Sequence, residues 1–387
     1  MDARYGGPPK VCLGQSLELA RRGVEVEILT TGSDRDTEKI LGADELKNAG
    51  IKVNIFPTSW PHVMRPSRKL SQFLKRKSKS FDLTHIHCVW EFALAAAGNA
   101  ARENGKPYIV ASHGMLDNYA FRTPKYLKKL LLGKLTGSWK LLQGASAIQF
   151  ATDEEAGDAE FLKLPAEKAI IPNGIALSSP ERCQEFETAL QQQFPGLKRF
   201  RRTVLFFGRF HPKKGLDLLI QGFGQIAGSF PDVAILGVGI ADDTSYFASL
   251  ERQVKRLNLE ERVFMTDKFV GDRSRAALNC ASIYAHPAYQ EGFSTAILDA
   301  MSASLPLLVT DRCRMRELER KKAGILVEPS PDGIAGGLAH LLRLPVAELK
   351  LQGQNANNWL RDEFTWDSVG SQLIKLYDQL VGNGKGR

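Results

Sequence analysis

The chain contains no run approaching the ~18–20 consecutive apolar residues that cross a bilayer, so no transmembrane helix is expected. Its first residues are polar and rich in glycine and proline, not basic and then apolar, so no secretory leader is read there. Cysteine is sparse: Cys12, Cys88, Cys183, Cys280 and Cys313 lie scattered, with no C-x-x-C pair. An odd, dispersed set argues against a disulfide frame or a structural zinc site and for reduced thiols in a cytoplasmic protein. Aromatic residues are not interleaved with the basic runs, and no nucleic-acid module is visible, so nucleic acid is not an expected partner.

What is present is a soluble-type balance of 43% hydrophobic and 25% charged residues over 387 positions, enough for two cores. The net charge is +9, which favours acidic partners. It is unevenly spread. Arg65, Arg68, Lys69, Lys75, Arg76, Lys77 and Lys79 follow one another with no acid between them. Lys125, Lys128, Lys129, Lys134 and Lys140 alternate with Leu127, Leu130, Leu131, Leu132 and Leu135, as in a basic amphipathic helix. Such stretches can lie on an anionic membrane surface, here the inner face of the plasma membrane; a solvated helix face over a core reads the same way.

Strand-like and helix-like segments alternate throughout, the pattern of parallel sheets covered by helices. Short apolar runs at 24–31, 52–56, 83–87, 108–112, 147–151 and 169–172 suit buried strands, with helical stretches at 9–22 and 91–104. Residues 178–202 are polar and charged, with Pro180 and Pro195, and read as a linker. The alternation restarts with strands at 203–208, 233–237, 262–266, 282–286, 306–310 and 324–327. Helices are expected at 216–227, 246–257, 274–280, 294–303, 332–342, 346–359 and 366–381. The division is therefore an N-terminal Rossmann-like domain at 1–177, a linker at 178–202, a second Rossmann-like domain at 203–360 and a closing helical segment at 361–387. Two doubly wound halves place a ligand in the cleft between them, at the carboxyl ends of the strands.

Three segments have the chemistry to hold a diphosphate. Gly6 and Gly7 precede a helix, whose N-terminus offers free N–H groups and the positive end of its dipole. A plain loop-to-helix turn remains open there. The strand at 203–208 ends in Arg209, and Lys214 opens the next helix, bringing two cations to one small volume suited to a pyrophosphate leaving group. The third segment is Glu291-Gly292-Phe293-Ser294-Thr295, with Asp299 eight residues after Glu291 and roughly 80° round the helix from it. Two carboxylates there suit sugar and ribose hydroxyls, or serve as favourable acids at a helix N-terminus. His85 and His87 share one strand face, but no third ligand follows by spacing, so no metal is expected. Gly237-Val238-Gly239 reads as a turn, because a dinucleotide fingerprint needs a third glycine.

With these elements assembled, the sequence resembles glycosyltransferase family 4, retaining enzymes with the GT-B fold. Gly208-Arg209-x-x-x-x-Lys214-Gly215 matches that family's G-R-x-x-x-x-K-G, and Glu291 to Asp299, followed by Ala300-Met301, matches its E-x7-E element. Gly6-Gly7, the strand ending His85-Ile86-His87, Ser112-His113-Gly114 and Ile171-Pro172-Asn173-Gly174 resemble N-terminal elements of the family. The resemblance implies two Rossmann-like domains facing across a cleft, with the closing helix crossing back onto the first. It implies a nucleotide-sugar donor and a glycan or lipid-linked acceptor, in polysaccharide or glycoconjugate biosynthesis. It also implies retention of anomeric configuration without a metal ion or other cofactor, the leaving phosphate deprotonating the acceptor. Arg209 and Lys214 would bind the diphosphate, and Glu291 the transferred sugar. Gly6, Gly7, Gly292, Phe293, Ser294 and Thr295 would meet the donor, Asp299 the ribose, and His113 the reacting sugar.

Three departures stand out. Asp299 replaces the family's glutamate and is one methylene shorter. Ser304 stands where relatives carry glycine; if φ is positive there, it costs on the order of 1 kcal/mol. A Rossmann-like half opens with an apolar strand, yet only Met1 to Tyr5 precede Gly6, so the first N-terminal strand is expected to be absent. Either the true start lies upstream or that domain is compromised. The alternative to a transferase is a catalytically impaired GT-B protein that binds a nucleotide sugar or acts as a scaffold. A sugar-nucleotide epimerase and an NAD-dependent oxidoreductase fit the motifs less well.

Overall fold

The computed structural model describes residues 7–32, 40, 42–60, 65–116, 131, 133–177, 184–241, 243–267 and 276–384. Two compact units result: Met1–Ala176 with Thr365–Arg387, and Leu177–Phe364.

The first unit contains β1 (Glu27–Gly32), β2 (Lys52–Pro57), β3 (Thr84–His87), β4 (Tyr108–Ala111), β5 (Ala147–Phe150) and β6 (Glu167–Ile170). Its helices are α1 (Gly7–Arg21), α2 (Ala43–Asn48), α3 (Arg68–Lys77), α4 (Phe92–Glu103), α5 (Ser138–Gln143) and α6 (Asp153–Asp158). All strand pairs are parallel, but they form two sheets, β1-β2 and β3-β4-β5-β6. Residues 1–6, where the expected absence of a first strand falls, lie outside the described residues. The amide of Gln15 on α1 is buried with neither its N nor its O hydrogen-bonded.

The second unit contains β7 (Arg202–Phe207), β8 (Val233–Val238), β9 (Val263–Thr266), β10 (Ile283–His286), β11 (Leu307–Thr310) and β12 (Gly324–Val327). Its helices are α7 (Gln184–Gln193), α8 (Leu216–Ile226), α9 (Thr244–Arg256), α10 (Thr295–Ser302), α11 (Pro331–Arg343) and α12 (Val346–Glu363). A last helix, α13 (Trp366–Gly384), belongs to the first unit. The six strands are parallel in the order β12-β11-β10-β7-β8-β9, so the winding reverses between β7 and β10. In an open parallel sheet that reversal leaves a crevice beyond the carboxyl ends of the two strands. β8, β10 and β11 are buried at every position, because helices cover both faces of the sheet; β8 reads as an unbroken apolar run for that reason.

The helices close on these sheets where small residues make room. Gly222 of α8 lies against Ile334 of α11, and a Cβ there would meet that side chain at 2.8 Å. In the first unit the indole of Trp366 fills a slot left by Gly14 and Gly174. From there α13 lays Val369, Leu373, Leu376 and Leu380 against Leu19, Ile109, Ala147, Ala169 and Ile171.

The stretch read as a linker is largely structured. Residues 178–183 lie outside the described residues, but α7 buries Phe186 and Leu190, an i, i+4 pair in an otherwise polar helix. Phe194 then packs on Phe264, with ring centroids 5.4 Å apart. A stripe two residues wide is too narrow to stand out from its polar surroundings. The segment expected as a helix at 274–280 is a 3-10 turn over Ala276–Cys280 where it is described.

Ser304, just past α10, adopts φ 55°. Its carbonyl lies against Gly353, where any Cβ would collide with it, so the backbone is held in place. A serine in this left-handed conformation costs about 1 kcal/mol relative to glycine. Ser304→Gly is therefore expected to stabilise the protein by up to about 1 kcal/mol, after allowing for the greater chain entropy of glycine when unfolded. Urea unfolding measures this, and an unchanged or lower midpoint would contradict it.

Candidate active site

β7 delivers its last residues to the switch point. Gly208 follows at φ 151°, and its carbonyl sits where a side chain on Gly239 would have to be, so both strand ends approach closely. Arg209 comes next and is exposed. A single 3-10 turn, Pro212–Lys214, is capped by His211, whose Nδ1 accepts from the Lys213 N–H at 3.1 Å. Gly215 then turns the chain into α8 at φ 71°, and a Cβ on it would collide with the carbonyl of Pro287. Glycine is thus required twice over, by conformation and by contact. The contact draws the start of α8 onto the loop that leaves β10.

That approach brings Lys214 to Glu291: its ammonium donates to the Oε2 atom in a close ion pair. His286, at the end of β10, stands 3.0 Å from the same oxygen through Nε2. Burial by itself would raise the Glu291 pKa; the His286 hydrogen bond and the Lys214 charge outweigh it and hold the carboxyl at about 2. The His286 pKa is lowered as well. Burial lowers its pKa despite the nearby carboxylate, so the ring is neutral near pH 7.

The loop from β10 to Glu291 is pinned along its length. Thr310 Oγ1 donates to the Ala288 carbonyl at 2.6 Å. The Tyr289 N–H donates to the Lys213 carbonyl at 2.9 Å, and the Glu291 N–H to that of Arg312 at 3.2 Å. Asp217 of α8 takes the hydroxyls of Tyr246 and Tyr289 on its two oxygens, at 2.7 and 2.8 Å. After Gly292 and Phe293, Ser294 stands at the N-cap of α10 without a side-chain capping bond; its carbonyl takes the Ile297 and Leu298 N–H groups, and N–H groups ahead of these in a helix have no intrahelical acceptor. Asp299 is half-buried on α10. Burial pushes the Tyr284 phenol well above its ordinary pKa, and Cys313, Asp299 and Glu291 add to that in this order.

In the first unit, His113 also takes positive φ, at 48°. Its Nε2 is 3.0 Å from Nδ1 of His87, while Nδ1 of His85 is 2.6 Å from the hydroxyl of Tyr377 on α13. The rings of His85 and His87 stack with centroids 4.8 Å apart, and His87 stacks on His113 at 5.2 Å. Burial lowers all three pKa values, to about 3 for His85, well below the ordinary value for His87 and to about 4 for His113. The histidine pair on β3 is thus a neutral hydrogen-bonding cluster. Gly6 lies outside the described residues; Gly7 is the exposed first residue of α1, with open space where its Cβ would be.

Sequence reasoning did not single out three residues that shape these sites. Glu155 accepts from Ser112 Oγ at 2.5 Å and from the Gly114 N–H at 2.6 Å, on either side of His113. The pattern Thr152-x-x-Glu155, a capping-box signature, marked it, since Thr152 accepts the Glu155 N–H at 3.1 Å. Tyr284 and His286 occupy alternate positions of a strand that reads as plain core.

Comparisons with known proteins bear on the family and the fold. A family model for group 1 glycosyl transferases matches residues 201–343, and one for glycosyltransferase family 4 matches residues 5–179. Phosphatidyl-myo-inositol mannosyltransferase of Mycobacterium tuberculosis is 29% identical over 222 residues, 55% of this chain and 54% of that protein. The matched stretch thus spans about half the length of the first such relatives. D-inositol 3-phosphate glycosyltransferase of Corynebacterium glutamicum is 23% identical over 98% of this chain and 93% of its own. Among solved structures, Anabaena HepE in complex with UDP superposes with a TM-score of 0.74 at 19% identity, covering 96% of each chain. With two Rossmann-like units and both motifs in place, the chain belongs to glycosyltransferase family 4, the group 1 glycosyltransferases, and has the GT-B fold.

Proposed function

We propose that the protein transfers a sugar, with retention of configuration, from a nucleoside-diphosphate sugar bound on its second unit to a glycan or lipid-linked acceptor. The observation that carries this reading is the Lys214–Glu291 pair at the switch point between β7 and β10. Lys214 and Arg209 supply fixed positive charge to the departing diphosphate, and the first turn of α10, from Gly292 through Thr295, adds backbone donors. On this reading the two cations provide the charge compensation that a metal ion supplies in other transferases. Glu291 accepts hydroxyls of the transferred sugar, and Asp299 those of the ribose. In the first unit we assign His113 as the residue that meets the reacting sugar, and Gly6 and Gly7 to the donor. HepE has been crystallised with UDP and with UDP-glucose, and the mycobacterial relatives are phosphatidyl-myo-inositol mannosyltransferases; both support a nucleotide-sugar donor and a lipid-linked acceptor.

One observation favours a second reading, a nucleotide-sugar-binding protein without transfer: the divided sheet of the first unit. Thermal shift with UDP-, GDP- and ADP-sugars, followed by a transfer assay with the stabilising donor, separates the two. Lys214→Ala is expected to lower turnover by about 10²–10³-fold while the protein remains folded, because it removes leaving-group stabilisation. Unchanged turnover would reject the assignment, and donor binding without transfer by the wild type would establish the second reading.

We also propose that the basic runs rest on an anionic membrane surface. Leu70 and Leu74 of α3 are spent on the core, so Arg68, Lys69, Lys75, Arg76 and Lys77 face solvent, and Trp60 nearby is 84% exposed. In the second run, Leu131 and Leu135 are 69% and 57% exposed beside Lys134, whereas Lys125, Lys128 and Lys129 lie outside the described residues. No described helix is long and apolar enough to cross a membrane, so attachment would be electrostatic, at about 1 kcal/mol per basic residue. Sedimentation with phosphatidylglycerol vesicles is expected to carry the protein down at low salt, and to fail after Lys75→Glu, Arg76→Glu and Lys77→Glu together. Equal binding to neutral vesicles would contradict this.

A further inference from the structure

Tyr284 and His286 lie two residues apart on β10 and so project from the same face of the sheet. Both are essentially fully buried, at 0% and 1% exposure, in a strand whose other two residues are Ile283 and Ala285. Burying a phenol and an imidazole where leucine would fill the space is costly unless each polar atom finds a partner. Each does. The Tyr284 hydroxyl is 2.9 Å from His286 Nδ1, and His286 Nε2 is 3.0 Å from Glu291 Oε2.

These contacts have one consistent direction. An ionised carboxylate only accepts, so the hydrogen must sit on His286 Nε2. A neutral imidazole has one donor and one acceptor, so Nδ1 then accepts from the Tyr284 O–H. The Phe207 carbonyl at the end of β7 is a second acceptor for the phenol's single hydrogen, but at 3.3 Å it is the longer of the two contacts. Lys214 meets the same Oε2 atom from the turn before α8. Oε2 is thereby committed to the protein.

We propose that His286, locked by Tyr284 as the Nε2–H tautomer, is a positioning residue that holds Glu291 through Oε2 and presents Oε1 to the hydroxyls of the donor sugar. The inference rests on the donor-site reading and extends it one layer inward. Four groups meet this carboxylate or feel its charge: Lys214 before α8, Tyr284 and His286 from β10, and Cys313, whose thiol burial and the Glu291 charge push up to about 12. Among them His286 is the neutral donor. Its loss should raise the Glu291 pKa and loosen the side chain, whereas a residue that merely filled space would alter neither.

The test has two readouts, a pH profile of transfer and a direct titration of the Glu291 carboxyl carbon by 13C NMR, assigned with Glu291→Gln. His286→Leu is expected to raise the Glu291 pKa by about one unit or more and to lower kcat by about tenfold or more, with little change in KM. His286→Gln, which keeps an N–H donor, should recover most of both. Tyr284→Phe, which releases the tautomer with one atom removed, should shift both in the same direction by less, and it serves if His286→Leu does not fold. A folded His286→Leu with unchanged Glu291 titration, or His286→Gln as impaired as His286→Leu, would overturn the proposal. If the carboxyl titration shifts as expected but the wild type transfers no sugar, the positioning stands and the transferase reading fails.

Discussion

A carboxylate taken out of water must be compensated where it sits, and Glu291 imposes that constraint on the second unit. Its ionised form survives burial because a cation and a neutral N–H donor meet one oxygen, with the carboxyl held at about 2. Removing one partner from such an arrangement leaves an uncompensated charge, which typically costs 3–5 kcal/mol, as an order-of-magnitude figure. Much of the local architecture serves this convergence. Gly215 lets the start of α8 reach the loop after β10, and Asp217 clamps that loop through Tyr289. Diphosphate entering the crevice would compete with Glu291 for Lys214, which couples donor binding to the freedom of the residue proposed to meet the sugar.

The first unit handles buried polar groups in the opposite way. His85, His87 and His113 are kept neutral by burial, and each is in contact through a ring nitrogen with a neighbouring ring or with the Tyr377 hydroxyl. Neutral rings suit hydrogen bonding to sugar hydroxyls rather than charge stabilisation. The chemistry proposed for the two units divides along the same line: fixed charge for the diphosphate on one, uncharged polar groups on the other.

Much of this was legible in the sequence because parallel strands covered on both faces leave unbroken apolar runs. The runs at 233–237 and 306–310 become β8 and β11 within a residue or so at either end. The E-x7-E and R-x4-K spacings were equally visible, since they fall where strands hand over to loops. Tyr284 and His286 were hidden because a strand's alternation does not distinguish a buried relay from a packed core. Glu155 was hidden because its partners, Ser112 and Gly114, lie some forty residues away in sequence and its capping pattern predicts only a local bond. The helix Gln184–Gln193 was missed because Phe186 and Leu190 supply only one turn's worth of apolar signal.

The central claim is that Lys214 binds the donor's diphosphate while Glu291 serves the sugar. Isothermal titration of the nucleoside diphosphate that stabilises the protein most, into wild type, Lys214→Met and Glu291→Gln, addresses it most directly. The account predicts that Lys214→Met weakens binding by about tenfold or more, one charge-assisted contact being worth roughly 1.5–3 kcal/mol, while Glu291→Gln binds at least as tightly as wild type. Equal affinity of wild type and Lys214→Met, or loss of nucleotide binding in Glu291→Gln, would contradict it.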